Sequence, residues 1–546
     1  MRRSSVLTIA AVSCLLFGAA AMRLNPRLSL AFAAQPQPPS AQPAQAETAS
    51  APQGVQLRPV NASLPPTVKP ADIPALQPSS LSLEPYLQPR LQLSLQPSLP
   101  STGASEIYTA KRGESISTVA HLYLKRTGYL TSSELAEAIR RTNGKDNGNS
   151  SNNILKNGEQ ITIPGILPAP IVEKNVPVAK DFEVRAIYLT GVMAASDHGI
   201  RIIRHWREVG GNAVVFDIKD SDGSVNIPFE HPLLGQHKVY IHDLPKFIHF
   251  LHSENMHAIA RVAIFRDERM VVEHPELAVQ SKKNKQPWRE NGKLVWTDSS
   301  NTKVQDYNIA LAKFVAQSGA DEIQFDYVRF PAEGDQKDAS FVFQTENPGS
   351  PKMQQRSDVI VNFLKKAYAE IHPTGALLSL DVFGVMAWQR QVDLSHTGQD
   401  IVGMAKYCDV LSPMIYPSHF FGMDNIEHPG DAPEHFIGES MARFELITKG
   451  SGVVIRPWLQ AFRWRTKTYS PEYIKVQVAT AKEKGGIGFL FWNAANDYSK
   501  PYEAMPEMKA SKDKYFRGDE LPGVTVKASL SPGTIPTPAP AETATH

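Results

Sequence analysis

The residues with the clearest potential for chemistry lie in the segment 321–331, which reads Asp-Glu-Ile-Gln-Phe-Asp-Tyr-Val-Arg-Phe-Pro. Its side chains alternate as in a buried strand, with Ile323 and Phe325 on one face and Gln324 and Asp326 on the other. An ionised carboxylate is costly to bury without partners. We therefore expect Asp326 either to pair with a cation or to lie where the strand opens into a solvated pocket, as acid-base chemistry requires.

A second segment, residues 378–384, repeats this design. Its leucines alternate with Ser379 and Asp381, so the leucines would pack against helices while Ser379 and Asp381 point the other way. Functional groups of a parallel β/α barrel lie at the carboxyl ends of its strands, so Asp326 and Asp381 would share one opening. Glycoside cleavage needs such a pair, because one carboxyl group protonates the leaving oxygen and the other attacks the anomeric carbon or activates water.

The elements that must position these acids alternate between strand and helix patterns over residues 181–505. Eight strands are predicted, at residues 185–191, 213–220, 257–267, 322–331, 378–384, 410–416, 454–462 and 488–493. Helical spacing occurs at residues 200–208, 304–318, 357–370 and 471–484. A doubly wound open sheet is the competing fold, but the first turn lacks its Gly-rich phosphate fingerprint. The sequence therefore predicts an α/β fold, a closed (β/α)₈ TIM-type barrel.

Further polar and aromatic residues lie near the predicted strand ends, where flat rings suit stacking on the apolar faces of sugars. The predicted substrate-binding residues are Asp217, Lys219, Asp267, Trp296, Gln324, Arg329, Tyr416, His419, Trp458, Trp492 and Asn493. Asp217 and Asp267 are also reserve candidates for the second acid. In the alternative interpretation, some aspartates pair with Lys219, Arg261 or Arg329 and serve only stability.

The two ends of the chain have compositions that do not predict a core. Residues 1–34 begin with Arg2 and Arg3, continue through an apolar run at 6–22 and end in small residues, which is the layout of a signal peptide. An uncleaved N-terminal membrane anchor is the alternative. Residues 35–104 form a Pro/Gln/Ser-rich linker, and residues 522–546 a disordered tail. We expect an exported protein of the periplasm, cell envelope or extracellular space.

Residues 105–166 lie between the linker and the barrel and have a strand-and-helix pattern of their own. The segment opens with a short strand, a Gly turn and an amphipathic helix, and it closes with a turn and a second strand. It resembles a divergent LysM module, in which two strands flank two helices in a small α+β domain. The resemblance implies carbohydrate binding, since that family binds N-acetylglucosamine-containing glycans. A small packing domain without a ligand is the alternative.

Composition excludes several classes of function. The 546 residues carry 57 basic and 55 acidic side chains, a net charge of +2, which provides no general attraction for nucleic acid. Of the two cysteines, Cys14 lies in the apolar run and leaves Cys408, which we expect to be a buried small residue. The sequence has no zinc-type Cys/His spacing, phosphate loop or Ser/His nucleophile pattern. We therefore expect no metal and no cofactor.

The barrel region also carries motifs of a known family. They are Trp296-Thr297-Asp298, residues 306–310, residues 321–331, Asp217-Ile218-Lys219-Asp220 and residues 412–417. With these motifs, residues 183–502 resemble the bacterial glycoside-hydrolase-like family DUF4015. The resemblance implies a TIM-type barrel related to glycosidases. By analogy with related barrels that place a catalytic acid at the end of the fourth strand, it implies Asp326 as nucleophile and Asp381 as acid/base.

The leading hypothesis is an exported glycoside hydrolase that acts on an envelope or extracellular polysaccharide, with a peptidoglycan-type glycan as one such partner. The LysM-like module would raise the local substrate concentration by tethering the enzyme. The competing hypothesis is a non-catalytic glycan-binding or cell-envelope-organising protein that keeps the barrel as a binding surface. Glycan binding without turnover would favour the second hypothesis.

Overall fold

The computed structural model describes residues 104–145, 153–346, 349 and 352–517. Its strands are β1 (Ala104–Thr109), β2 (Gln160–Ile166), β3 (Val184–Leu189), β4 (Ala213–Lys219), β5 (His257–Ala263), β6 (Gln280–Ser281), β7 (Glu322–Asp326), β8 (Ala339–Ser340), β9 (Leu377–Phe383), β10 (Val410–Met414), β11 (Val454–Ile455), β12 (Trp458–Gln460) and β13 (Gly488–Trp492).

Nine of these strands form one closed parallel barrel. The order is β3-β4-β5-β7-β9-β10 and then β11 with β12, followed by β13, which pairs with β3 again. Strands β11 and β12 are two pieces of the seventh barrel strand, separated by Arg456 and Pro457, and both pair with β10. The barrel therefore has eight strand positions, and the predicted (β/α)₈ architecture is confirmed.

The strands are shorter than the sequence pattern indicates, and β7 shows why. The prediction of a strand over residues 322–331 is wrong beyond Asp326, where β7 ends. The next residue, Tyr327, has a φ of 54°, in the left-handed region that side-chain-bearing residues rarely adopt. The chain therefore turns out of the sheet directly after the carboxylate and leaves Asp326 at the rim of the barrel.

Helices cover the outside of the barrel, including several that the sequence pattern did not predict. Around the barrel they span Gly191–Ala194, Asp197–Glu208, Leu244–Ser253, Glu268–Glu273, Thr302–Gln317, Phe343–Glu346, Lys352–Ile371, Gln391–Thr397, Ile401–Met404, Pro433–Thr448, Pro471–Glu483, Ser499–Ala510 and Lys512–Tyr515. The unpredicted crossovers include Leu244–Ser253 and Pro433–Thr448, each of which carries a proline in its first turn. That position tolerates proline, because the first amide groups of a helix have no partner within it.

The barrel separates two layers of buried side chains. Alternate residues such as Leu378 and Leu380 point outward into the large core shared with the helices. The inner cluster instead contains small and aliphatic residues such as Ala186 and Val215, together with aromatic rings. This alternation follows the period of two along each strand. It directs the polar residues of β7 and β9 into the barrel, as predicted.

Residues 104–166 form a small unit around an antiparallel β1-β2 pair. The helices Ile116–Tyr123 and Ser132–Thr142 lie between these strands in sequence. The unit has its own apolar core, with Leu135, Ile139 and Ile163 among its fully buried residues. Lys246 of the barrel is buried and donates to the carbonyl oxygen of Leu124 at 2.9 Å. The unit therefore packs directly against a barrel helix.

The flanking segments extend the barrel at both ends. The amide of Val176 donates to Asp321 Oδ1 at 2.6 Å, which attaches the segment before β3 to the amino end of β7. Tyr515 and Phe516 are buried in the large core, so the fold continues past the expected boundary at residue 505. None of the described helices is long and apolar enough to cross a membrane. The apolar run 6–22, linker residues 35–103 and the tail 522–546 lie outside the described residues.

Candidate active site

Seven side chains from the strands and their ends meet at the carboxyl end of the barrel, which we call the barrel mouth. They are Tyr188 on β3, Asp217 on β4, Arg261 on β5, Asp326 on β7, Asp381 on β9, Trp458 on β12 and Trp492 on β13. Tyr188, Asp326 and Trp492 lie at or next to the last residues of their strands, the end at which a TIM-type barrel carries its functional groups. Asp217, Asp326, Asp381, Trp458 and Trp492 were all predicted from sequence.

Arg261 is the hub of this group. Its Nη1 donates to Asp217 Oδ1 at 2.5 Å, and its Nη2 and Nε donate to Asp326 Oδ2 at 2.6 and 3.2 Å. Asp217 also accepts from the Tyr188 hydroxyl. The guanidinium side chain is only 3% exposed. One buried cation therefore holds two carboxylates in fixed orientations, as the alternative interpretation of the aspartates suggested for Arg261.

Asp381 lies beside Asp326 but has a different environment. Phe325 and Leu380 are register partners on β7 and β9, so the residues that follow them, Asp326 and Asp381, are neighbours across the two strands. Asp381 Oδ1 accepts from Trp458 Nε1 at 2.7 Å, and Asp381 forms no salt bridge among the described residues. Burial, reinforced by the negative charge of Asp326, raises the pKa of Asp381 well above its usual range, although Arg261 opposes the shift.

Asp217 is a third carboxyl group with a perturbed proton affinity. Burial raises the pKa of Asp217 to about 7, against the opposing charge of Arg261, and Asp220 adds to the increase. The mouth thus contains Asp326, which is ion-paired with Arg261, next to Asp381, whose protonated form burial favours. Neighbouring acids in such different environments suit acid/base and nucleophilic roles.

Aromatic rings form the wall around these acids. Tyr188 and Trp492 stack with ring centroids 4.1 Å apart, and Trp458 meets Trp492 edge-on at 5.5 Å. The Arg261 guanidinium carbon lies 5.2 Å from the Trp492 ring centre. These contacts fix the rings, so they offer a rigid apolar wall next to the carboxyl groups.

The acids are almost covered in this structure. Asp326 is 6% exposed and Asp381 is 2% exposed. Partly exposed rim residues surround them, including Tyr327, Phe383 and Phe462. Because Tyr327 follows Asp326 with a strained φ and its amide donates to Asp326 Oδ1 at 2.6 Å, the same backbone turn orients the carboxylate and places a ring at the rim.

Two of the predicted site residues, Lys219 and Asp267, pair with each other outside the barrel mouth. Lys219 Nζ pairs with Asp267 Oδ2 at 2.7 Å and donates to Asn308 Oδ1 at 2.9 Å, on the helix side of the barrel. The other Asp267 oxygen caps the helix Glu268–Glu273 by accepting from the Met270 amide. The prediction that Asp267 and Lys219 join the shared mouth is therefore wrong. A register shift between Asp217 and Lys219 ends the regular alternation of β4.

The prediction that Trp296 offers a sugar-stacking ring at the mouth is also wrong. Trp296 is fully buried in the large core, and its Nε1 donates to Glu290 Oε2 at 2.8 Å. Arg329 lies over this ring at 4.6 Å and over the Phe383 ring at 4.4 Å. Arg329 therefore packs on the rings of Trp296 and Phe383, and among the described residues it forms no salt bridge with the acids of the mouth.

The remaining predicted residues are Tyr416, His419, Asn493 and Gln324, and their surroundings differ. Tyr416 packs in the inner cluster, and partly buried His419 contacts Phe462, with burial lowering the pKa of His419 to about 4. Asn493 Nδ2 donates to the Ala461 and Asp497 carbonyl oxygens, so that side chain holds loops together. Gln324 lies deeper in the barrel, donates weakly to Ser412 at 3.4 Å and has an unpartnered Oε1.

Sequence reasoning missed Tyr188 and gave Arg261 only the role of an ion-pair partner. Both lie on predicted strands at inward-facing positions, and a basic residue within the apolar run 257–265 was the available signal for Arg261. Tyr188 has no such signal, because a tyrosine in an apolar strand is usual in any core. Within the described part of the chain, no group of three or more His, Cys, Asp or Glu side chains is arranged to hold a metal.

Comparison with known proteins identifies the barrel. Residues 186–498, more than half of the chain, match the family DUF4015, described as "Putative glycosyl hydrolase domain". The chain belongs to this family. Its barrel is therefore a glycosyl-hydrolase-like domain, and the resemblance drawn from the 321–331 motif is confirmed. No curated protein matches the chain.

Similar solved structures include a hypothetical protein from Ruminiclostridium thermocellum ATCC 27405, which is 34% identical over 36% of this chain and 97% of its own, with a TM-score of 0.32. The glycoside hydrolase domain of PgaB (BpsB) from Bordetella bronchiseptica is 15% identical over 62% and 100%, with a TM-score of 0.47. The spore cortex-lytic enzyme SleL from Bacillus megaterium QM B1551 is 12% identical over 75% and 86%, with a TM-score of 0.36.

Proposed function

We propose that this DUF4015 member hydrolyses O-glycosidic bonds of a polysaccharide, with Asp381 as the acid/base and Asp326 as the nucleophile or the base that activates water. The observation that carries the proposal is the unequal treatment of two neighbouring acids at the mouth. Asp326 is the carboxylate of an ion pair with Arg261, whereas burial and the nearby Asp326 charge favour a protonated Asp381. Glycosidic cleavage needs one group in each state.

In this reaction, Asp381 donates its proton to the departing glycosidic oxygen while the Asp326 carboxylate or a water molecule activated by it attacks the anomeric carbon. Cleavage leaves a new hydroxyl group on the departing sugar. If Asp326 is the nucleophile, water then cleaves the glycosyl ester and gives its proton to Asp381; if Asp326 is the base, it takes the proton of the attacking water, and exchange with solvent restores both acids. In both cases the water oxygen becomes the anomeric hydroxyl. Both acids are nearly covered, so rim side chains such as Tyr327 must move to admit the sugar.

We also propose that the protein is exported and that residues 105–166 act as a LysM-like glycan-binding module. The two helices between an antiparallel strand pair support this assignment. Packing of this unit on the barrel, through Lys246 and the Leu124 carbonyl, would hold the module at a fixed position relative to the catalytic domain. Substrate captured by the module would then be presented at high effective concentration.

The test is hydrolysis of a broad oligosaccharide and cell-wall glycan panel by the full chain and by Asp326→Asn and Asp381→Asn. Asp306→Asn is the matched control, since Asp306 is exposed on an outer helix, where it pairs with Lys366 at the surface. We expect activity in the parent and the control, and loss by about 10²-fold or more in both site variants. Full activity in either site variant, with its fold intact, would refute the assigned roles.

A non-catalytic glycan-binding barrel is the second candidate function. The ion pair of Asp326 with Arg261 and the low exposure of both acids favour it, because acids that only stabilise the end of the barrel would leave the protein without catalytic groups. Saturable binding of a glycan to the barrel, without any cleavage across the panel, would establish this alternative.

A further inference from the structure

Two guanidinium groups approach the aromatic ring next to Asp326. The Cζ atoms of Arg266 and Arg329 each lie 5.6 Å from the centre of the Tyr327 ring. Arg266 lies three residues beyond the end of β5 and is partly exposed, whereas Arg329 is buried. The rim beside Asp326 therefore carries positive charge that approaches from two different loops.

The two guanidinium groups differ from Arg261 in their ion pairing. Among the described residues, neither Arg266 nor Arg329 forms a salt bridge, whereas Arg261 forms two. Arg266 Nη1 donates to the Ser221 carbonyl oxygen at 3.0 Å, and its buried Nε has no hydrogen-bond partner. An unpaired buried donor costs free energy, because the group has lost water without gaining an acceptor. Arg266 therefore has donor capacity that a bound anion could use.

Acidic residues near the rim accept hydrogen bonds from groups other than Arg266. Asp326 is already paired with Arg261. Glu290, whose charge acts on Arg329, accepts from Trp296 and from the amide of Glu333. Within the part of the chain that the structure describes, no carboxylate forms a salt bridge with the guanidinium of Arg266.

We propose that the barrel mouth is specific for an acidic glycan, in which the carboxylate of a uronic acid residue is bound by Arg266 while Arg329 adds a favourable field. This inference rests on the proposed function, because it assigns a substrate class to the same site. A planar carboxylate matches the fork of guanidinium donors, which a neutral hydroxyl cannot. The Tyr327 ring would contact the sugar face next to that carboxylate.

The test measures binding by calorimetry on the full chain with Asp381→Asn, which blocks turnover. The probes are oligomers of galacturonate, glucuronate and mannuronate, each compared with its methyl ester, which keeps the backbone and removes the charge. We expect at least one free acid to bind about tenfold tighter than its ester, the effect of one charge-assisted contact. That preference should weaken from about 0.05 M to about 0.5 M salt.

Adding Arg266→Gln should abolish most of the preference, and Arg266→Lys should keep part of it, since a lysine retains the charge without the fork. Arg201→Gln is the matched control, because Arg201 is exposed on the helix Asp197–Glu208, away from the mouth. Equal binding of acids and esters, binding of no acid, or an unchanged preference in Arg266→Gln would each overturn the proposal. If Arg266→Gln does not fold, the ester and salt comparisons on the parent decide the question.

These outcomes separate the inference from the proposed function. Hydrolysis of a neutral glycan, with no preference for acids, would overturn the acidic-substrate inference and leave the hydrolase intact. Tight, Arg266-dependent binding of a uronate that the parent protein never cleaves would support the acidic site and count against hydrolysis.

Discussion

Arg261 offers the most direct test of the site's electrostatics. The change Arg261→Met removes the cation but fills a similar volume, and it leaves Asp217 and Asp326 without the donors now at 2.5 and 2.6 Å. Breaking a buried ion pair by removing one partner costs about 3–5 kcal/mol, because the remaining charge is buried without compensation. We expect the free energy of unfolding of Arg261→Met to fall by about this amount near neutral pH.

The loss should depend on pH in a defined direction. Burial raises the pKa of Asp217 to about 7 although Arg261 lowers it, so without Arg261 this pKa would rise further. Between the parent and variant pKa values of Asp217, the folded variant then binds more protons than the folded parent. Stability then decreases as pH rises through that window and recovers as pH falls. The difference between parent and variant should therefore shrink as pH falls from about 8 to about 6, through the parent pKa of Asp217.

The assay is urea unfolding followed by tryptophan fluorescence at both pH values. Arg443→Met is the matched control, since Arg443 lies over the Trp388 ring and its salt bridge with Glu439 is partly exposed, and such pairs contribute about 0–1 kcal/mol. A loss below about 1 kcal/mol in Arg261→Met, or a loss that does not shrink at the lower pH, would refute the view that this arginine neutralises two buried acids.

Three further predictions follow from single groups. Burial opposes protonation of His252, but its hydrogen bond to Asp321 and its ion pair with Glu173 raise its pKa to about 9. The stability it contributes is therefore complete below about pH 6.5 and lost as pH rises toward 9, so the melting-temperature difference between parent and His252→Gln should vanish by about pH 10. Trp458→Phe removes the hydrogen bond that lowers the pKa of Asp381, so the alkaline limb of the pH–activity profile should move to higher pH. Burial raises the pKa of the Cys408 thiol, so in a Cys14→Ser background a thiol reagent should react only after denaturant is added; reaction of the native protein would contradict this.

The closed barrel and the pair of acids at its mouth, Asp326 and Asp381, could be predicted because both depend on local periodicity. Alternation on β7 and β9 directs Asp326 and Asp381 inward once the strands are parallel and adjacent, and that order follows from the β/α rhythm. The same rule failed for Lys219, because a register shift after Asp217 re-aims the end of β4. Loop residues such as Trp296 carry no periodicity, so their burial depends on contacts that only the tertiary structure provides.

The two ends of the barrel interior contrast in a way that distinguishes stability from chemistry. At the amino end, Arg456 Nη1 donates to both oxygens of Glu322, and His257 Nε2 lies 3.2 Å from one of them. Although burial opposes it, these partners lower the pKa of Glu322 to about 2, so this acid stays ionised and its charge is compensated. Such a cluster has no proton to give at neutral pH.

At the barrel mouth, in contrast, buried carboxyl groups outnumber the cations that could compensate their charge. There, Arg261 donates to Asp217 and Asp326, while the one hydrogen bond that Asp381 accepts from the described residues comes from the indole N–H of Trp458. An excess of buried carboxyl groups over cations must be relieved by proton uptake, since desolvation disfavours the charged form. Burial therefore favours the protonated form of Asp381 beside the ion-paired Asp326, as its proposed role as acid/base requires. Of the two polar ends of the barrel interior, the mouth is the one whose charge balance suits acid/base chemistry.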